Sequence, residues 1–192
     1  MSLPARDLCV SLEEYLKREE ASEARNEYVA GRVFAMVGAS ETHNLIVSNL
    51  SRNLYDPVMD SGCRVYMSDM KVWIQSAQSF YYPDIVVTCE PFEPKSVYKS
   101  APCLIVEVLS PSTRDVDCRE KLIAYRQLPS LKEYILVYQD RMQIEVYRKD
   151  DRGDWHCNIY EGNSKVQLNA LPNAGLELDL EKVYRGTTVH IA

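Results

Sequence analysis

No cysteine pair in this 192-residue chain has the C-x-x-C spacing, although six cysteines are present, Cys9, Cys63, Cys89, Cys103, Cys118 and Cys157. That argues against a zinc cluster and a dithiol redox motif. Several of them fall within apolar stretches, where a reduced thiol acts as a small hydrophobe. No segment approaches the ~18 apolar residues of a membrane span, and Met1-Ser2-Leu3-Pro4-Ala5-Arg6-Asp7 contains no apolar leader core. The expectation is a reduced, cytoplasmic protein with no membrane partner. A basic excess is missing too: 22 Lys and Arg face 28 Asp and Glu, for a net charge of −6. Duplex affinity rests largely on Lys and Arg displacing condensed counterions, so a nucleic-acid partner would require a local basic patch or a bound metal. Low-complexity runs and interdomain linkers are absent as well. With 46% hydrophobic residues and 13 tyrosines, the chain is expected to fold as one globular domain over 1–192.

Two apolar strands organise the chain, Tyr81-Tyr82-Pro83-Asp84-Ile85-Val86-Val87 and Leu104-Ile105-Val106-Glu107-Val108-Leu109. Runs of this kind bounded by turn signals suit sheet strands covered on both faces. Each carries one carboxylate, and an ionised carboxylate loses several kcal/mol of hydration on burial unless a cation or donors replace the water. Asp84 and Glu107 therefore point to a shared partner, a divalent metal.

Around these strands, Ser11 and Glu14 match a capping box opening a helix through about Ala21. Tyr28-Val29 and Arg32-Val33-Phe34 flank a hairpin turn at Ala30-Gly31, with Glu27 just before it. Ser40 or Thr42 can cap a helix from His43 to about Tyr55, which Pro57 is expected to stop. Arg64–Ile74 and Phe80–Thr88 form a hairpin in this reading, placing Lys71 roughly opposite Asp84 with Asp69 on the same face. A helix from about Arg114 to Leu128 joins Leu104–Leu109 to a parallel strand, Glu133–Tyr138. Gln143–Arg148, Trp155–Tyr160 and Lys165–Leu168 continue as a meander, and Leu180–Tyr184 makes one helical turn. The sum is an α/β fold. On the helix after Glu107, Asp117 and Lys121 lie four apart on one face, beside an apolar stripe of Cys118, Leu122 and Tyr125.

The ordered set Glu27…Gly31, His43, Tyr82-Pro83-Asp84, Glu107-Val108-Leu109-Ser110-Pro111-Ser112-Thr113, Asp117, Lys121 and Glu133-Tyr134 resembles the Uma-two family of restriction-endonuclease-like proteins, a bacterial branch of the PD-(D/E)XK nuclease superfamily. The resemblance runs from about Leu12 to Tyr184. It implies a mixed central sheet flanked by helices and a Mg²⁺ or Mn²⁺ site built from Asp84, Glu107 and the backbone carbonyl of Val108. It also implies that Lys121 orients or deprotonates an attacking water, that Glu27 assists, and that the substrate is DNA. The superfamily's usual lysine comes two residues after the second acid; here that position is Leu109, so Lys121 would supply the ammonium.

Each residue also has an ordinary reading. Asp84 can be a strand-end acid bonded to backbone amides, and Glu107 with Lys121 can be a structural ion pair. His43 can be a first-turn helix residue with a catalytic role as the alternative; Asp69, Lys71 and Asp117 can be supporting groups or surface charge. Ser110 or Ser112 with Lys121 lacks S-x-x-K spacing and a Gly-rich elbow, and Asp115-Val116-Asp117 lies at a helix start, so Ser-Lys hydrolase and phosphatase readings are weak. Two functions stand: a metal-dependent endonuclease acting on DNA, or a catalytically idle binding or assembly module, with a homodimer expected.

Overall fold

Ser11 opens helix α1 (Leu12–Glu20) by accepting from the Glu14 backbone N–H at 3.2 Å. Only half of the expected capping box forms, because the Glu14 side chain pairs instead with Arg18 one turn on. In the computed structural model, which describes residues 9–36, 38–111, 113–171 and 176–189, the expected hairpin follows as β1 (Asn26–Val29) and β2 (Arg32–Ala35). Its two central residues, Ala30 and Gly31, both have positive φ, the primed-turn geometry that matches strand twist. Met1–Asp7 and Ser112 lie outside the described residues.

Helix α2 (Glu41–Asp60) is capped by Ser40 and runs through Pro57. The expectation that Pro57 ends it is corrected: the ring removes one hydrogen bond, while Leu54 and Val58 stay fully buried and keep the last turn docked. The expected long hairpin divides between two sheets. β3 (Arg64–Met67) pairs with β6 (Ile85–Thr88), and β4 (Lys71–Ile74) pairs with β5 (Ser79–Tyr81). A one-residue register change at Ser68, which has positive φ, separates the two pairings. The Val72↔Tyr81 register, carried one step on, puts Lys71 beside Tyr82 and not opposite Asp84, correcting the expected juxtaposition, and its ammonium lies over the rings of Tyr15, Phe80 and Tyr82. Asp69 pairs with Arg25 at the surface.

The six-stranded sheet runs β11-β10-β9-β8-β6-β3, with β8 (Pro102–Leu109), β9 (Glu133–Tyr138), β10 (Gln143–Lys149) and β11 (Trp155–Glu161). Within this sheet, among the described residues, β8 and β9 are the parallel pair. A five-stranded sheet, β2-β1-β5-β4-β7, includes the short β7 (Tyr98–Lys99). The final expected meander strand, β12 (Lys165–Leu168), leaves the sheet and pairs with β13 (Leu176–Asp179), a strand the sequence reading missed. Helix α4 (Leu180–Val183) makes the expected helical turn.

Alternation along β8 sends Leu104, Val106 and Val108 into a core shared with α2, β13 and α4. Ile105 and Leu109 face a second core with Tyr125 and Tyr134, so Glu107, between them in phase, points the same way. The expected helix after β8 is wound as a π-helical turn, Val116–Lys121, followed by α3 (Leu122–Tyr125). From the sheet beneath, Tyr134 Oη donates to the Asp117 carbonyl at 3.0 Å and fastens that turn. π turns of this kind are frequent at functional sites.

Cys63 and Cys89 form a disulfide, which corrects the expectation that all six thiols are reduced. They continue the β3–β6 register one step beyond Arg64↔Thr88, so the two strands bring their side chains face to face. Among the described residues, no helix is long and apolar enough to cross a membrane.

Glu133 is a structural residue. It is fully buried, accepts from Arg148 Nε at 2.6 Å, and takes the backbone N–H groups of Asn169 and Ala170, both at 2.9 Å. Glu133→Ala would strand those donors, and urea unfolding should show a loss of about 3–5 kcal/mol.

Candidate active site

Asp84 lies one residue before β6, and the register Ile85↔Val106 places it opposite Glu107 on β8. The two acids meet through the backbone. The Asp84 N–H donates to Glu107 Oε2 at 3.4 Å, and the Val108 N–H donates to Asp84 Oδ2 at 2.7 Å. His43, in the first turn of α2, reaches Asp84 Oδ2 at 3.2 Å and hydrogen-bonds the Val108 backbone. The Val108 peptide groups therefore face the same space as Asp84. Among the described residues, no protein donor reaches Asp84 Oδ1.

Glu107 is only 3% exposed, and Lys121 descends onto it from the π turn. The Lys121 ammonium lies 3.2 Å from Glu107 Oε1, 3.0 Å from Glu27 Oε1 and 3.1 Å from Asp117 Oδ1. Three carboxylates thus surround one ammonium. Tyr125 Oη adds a donor to Glu107 Oε1 at 3.0 Å, and the Tyr82 N–H donates to Glu27 Oε1 at 3.2 Å. All five expected side chains, Glu27, His43, Asp84, Glu107 and Lys121, line one cavity of about 260 Å³ together with Val108 and Asp117.

Four carboxylates against one ammonium and one imidazole leave this cavity short of positive charge. Burial holds the Glu107 carboxyl well above its ordinary range; Asp117, Asp84 and Glu27 push the same way, and Lys121 opposes them. Burial also works to lower Lys121, but Glu107, Glu27 and Asp117 outweigh it and keep the ammonium charged. An ammonium held this way favours the orienting role implied for Lys121 over the deprotonating one. At His43 burial acts downward and is outweighed by the hydrogen bond and charge of Asp84, the Val108 backbone and Asp117, which favour the imidazolium.

Among the described residues, no three His, Cys, Asp or Glu side chains form a ready metal cage. A sparse oxygen set still suits Mg²⁺, which keeps several waters and uses one or two carboxylates. Asp84 Oδ1, Glu107 and the Val108 carbonyl are the oxygens that would hold such an ion. The buried Asp117 Oδ1, which takes no hydrogen bond and faces only the Lys121 charge, shows that acidic oxygens here exceed the protein's own donors.

Sequence reasoning underrated Asp117 and placed Tyr125 in an apolar stripe. Both belong to the site, and the signal was the four-residue spacing of Asp117, Lys121 and Tyr125 that stacks them on one helix face. Tyr82 was read only as part of the Tyr82-Pro83-Asp84 motif; its role in holding Glu27 comes from the fold.

A mixed sheet carrying two apposed acids at strand ends, with helices on either side, is a restriction-endonuclease-like α/β architecture. The model of the Uma2 family, described as "Putative restriction endonuclease", matches residues 12–181, and the chain belongs to that family. It is 38% identical over 179 residues to the Synechocystis protein slr1290, covering 92% of each chain, and 36% identical over 175 residues to sll1609 of the same organism, covering 88% of this chain and 98% of the other. Both carry the description "Uncharacterized protein". A crystal structure from Anabaena variabilis, described as "a putative nuclease belonging to DUF820", shares the fold with a TM-score of 0.74 at 18% identity, over 91% of this chain and 97% of that one.

Proposed function

We propose that this chain is a metal-dependent endonuclease of PD-(D/E)XK type that hydrolyses DNA phosphodiester bonds, using Mg²⁺ or Mn²⁺ held by Asp84, Glu107 and the Val108 carbonyl. One observation carries the reading: Glu107 is buried in a sheet strand directly opposite Asp84, in a cavity with more carboxylates than cations. Family membership and the nuclease-described structural neighbour support it. When bound, a divalent ion supplies charge neutralisation at the phosphodiester and acidifies a bound water.

The chain's own residues fill the other roles. His43 and the Val108 N–H fix the Asp84 carboxylate so that Oδ1 faces the cavity. Glu27 Oε2, with no protein donor among the described residues, accepts a hydrogen bond from an attacking water. Lys121 steadies Glu27 and Glu107 and can turn one proton toward a phosphate oxygen. The test is cleavage of supercoiled plasmid, linear duplex and single-stranded oligonucleotides with each metal and with EDTA. Metal-dependent cleavage is expected; no cleavage of any DNA form with either metal would overturn the reading.

A second reading, a catalytically idle binding or dimeric assembly module, draws on the Lys121 geometry, since its ammonium lies within ion-pair distance of three protein carboxylates. Calorimetry separates the two. Absence of binding heat with Mg²⁺ and Mn²⁺, together with a dimer in sedimentation, favours the module.

A further inference from the structure

The candidate cavity does not end at His43. It opens, through Asn44, Val47 and Ser68, into a second groove along α2, and the helical stripe Ser48, Ser51, Arg52 and Tyr55 forms one wall of that groove. These positions recur at three- and four-residue intervals, so one face of the helix that delivers His43 to the site continues outward as the groove wall. From Asn44 to Tyr55 the axis covers about 16 Å, room for roughly five nucleotides at the ~3.4 Å stacking repeat.

The groove's chemistry selects its occupant. Tyr55 is 52% exposed, with Met59 one turn on and Met67 across the groove also exposed, so a flat ring is offered to solvent beside apolar neighbours. Arg52 has no ion-pair partner among the described residues, and its guanidinium is free to meet a phosphate. The serine hydroxyls and Asn44 add neutral donors. A duplex hides its base faces and relies on many cations, which a chain of net charge −6 with one arginine and one acid, Asp56, in this groove does not offer. An unpaired strand exposes the faces that an aromatic ring can stack on, a contact that a duplex does not offer and that adds to the phosphate contact of Arg52.

We propose that the α2 groove holds a single-stranded polynucleotide segment leading to or from the scissile phosphate, with Tyr55 stacking on a base and Arg52 contacting the backbone. This deepens the nuclease reading and rests on it for the position of the scissile phosphate, while binding in the groove can be measured separately.

The test is fluorescence anisotropy in EDTA with labelled 12-nucleotide single-stranded DNA, its RNA counterpart and the matching duplex, using the full chain, Tyr55→Ala, Arg52→Ala and a groove-filling Ser48→Tyr. All three substitutions fall on the groove face, and thermal unfolding checks their folding. Single strands should bind more tightly than duplex. Tyr55→Ala should weaken binding at least fivefold, Arg52→Ala should reduce the salt slope by about one, and Ser48→Tyr should block binding. Equal affinity for single strand and duplex, no binding by the full chain, or affinities unchanged in all three variants would overturn the proposal. The DNA and RNA arms identify the sugar. Hydrolysis of bis(p-nitrophenyl) phosphate by the full chain with Mn²⁺ reads the catalytic centre independently. Hydrolysis without groove-dependent binding removes this proposal alone; groove-dependent binding with neither this hydrolysis nor cleavage of any DNA form removes the nuclease reading and leaves the groove as a single-strand site.

Discussion

Asp84→Asn and Glu107→Gln should each reduce metal-dependent DNA cleavage by more than about a hundredfold while leaving the far-ultraviolet circular dichroism unchanged. Loss of a group supporting a metal ligand typically costs 10–100-fold, and these residues are the proposed ligands themselves. Both substitutions keep side-chain volume and remove charge. Glu107→Gln retains a carbonyl for Tyr125, and the Lys121 ammonium still has Glu27 and Asp117 beside it. Asp84→Asn retains an oxygen for the Val108 N–H. An effect on cleavage with an unchanged unfolding midpoint separates a ligand role from a structural one. If both variants cut at the wild-type rate, the nuclease activity belongs elsewhere in the chain.

Lys121→Met should destabilise the protein by about 3–5 kcal/mol at neutral pH, because it strands three carboxylates around a buried void of charge. Against a typical domain stability of about 5–15 kcal/mol, that is a large share. The pH dependence follows from Glu107, whose carboxyl is already raised by burial and loses its principal opposing charge. An acid with a folded-state pKa above its unfolded value binds more protons when folded. Its stabilising contribution is complete below the unfolded pKa and is lost as pH rises through the folded one, so the variant should regain stability as pH falls toward about 4.5. Adding Asp117→Asn should recover part of the loss, since the two residues share one charge network. Urea unfolding across pH measures all three effects. A loss below 1 kcal/mol would show that Lys121 does not hold these carboxylates together.

The fold was legible where pattern and physics coincide. β8 and β9 are fully apolar runs apart from Glu107 and Glu133, and a parallel buried pair admits little else. Alternation along β8 then fixed which face Glu107 would take, so the approach of Lys121 to it was readable from spacing alone. The pairing of Lys71 was not readable, because the long expected hairpin divides into two pairings in different sheets whose registers differ by one residue, and nothing in the sequence marks where it divides. The π turn was equally hidden: Asp117 and Lys121 meet as an i, i+4 pair whether the turn is α or π. Strand β13, four residues with alternating burial beside undescribed residues 172–175, was too short to call against the helix turn that follows. Glu133 shows the limit of motif reading, since it belongs to the ordered set that resembles the family and yet, among the described residues, its buried oxygens serve Arg148 and two backbone amides.

The central claim is that Asp84 and Glu107 converge on a divalent ion, and a crystal soaked in Mn²⁺ with anomalous diffraction tests it most directly. An anomalous peak within bonding distance of an Asp84 oxygen, a Glu107 oxygen and the Val108 carbonyl is the result expected. A cavity without such a peak, in which Glu107 stays paired only with Lys121 and Tyr125, would contradict it.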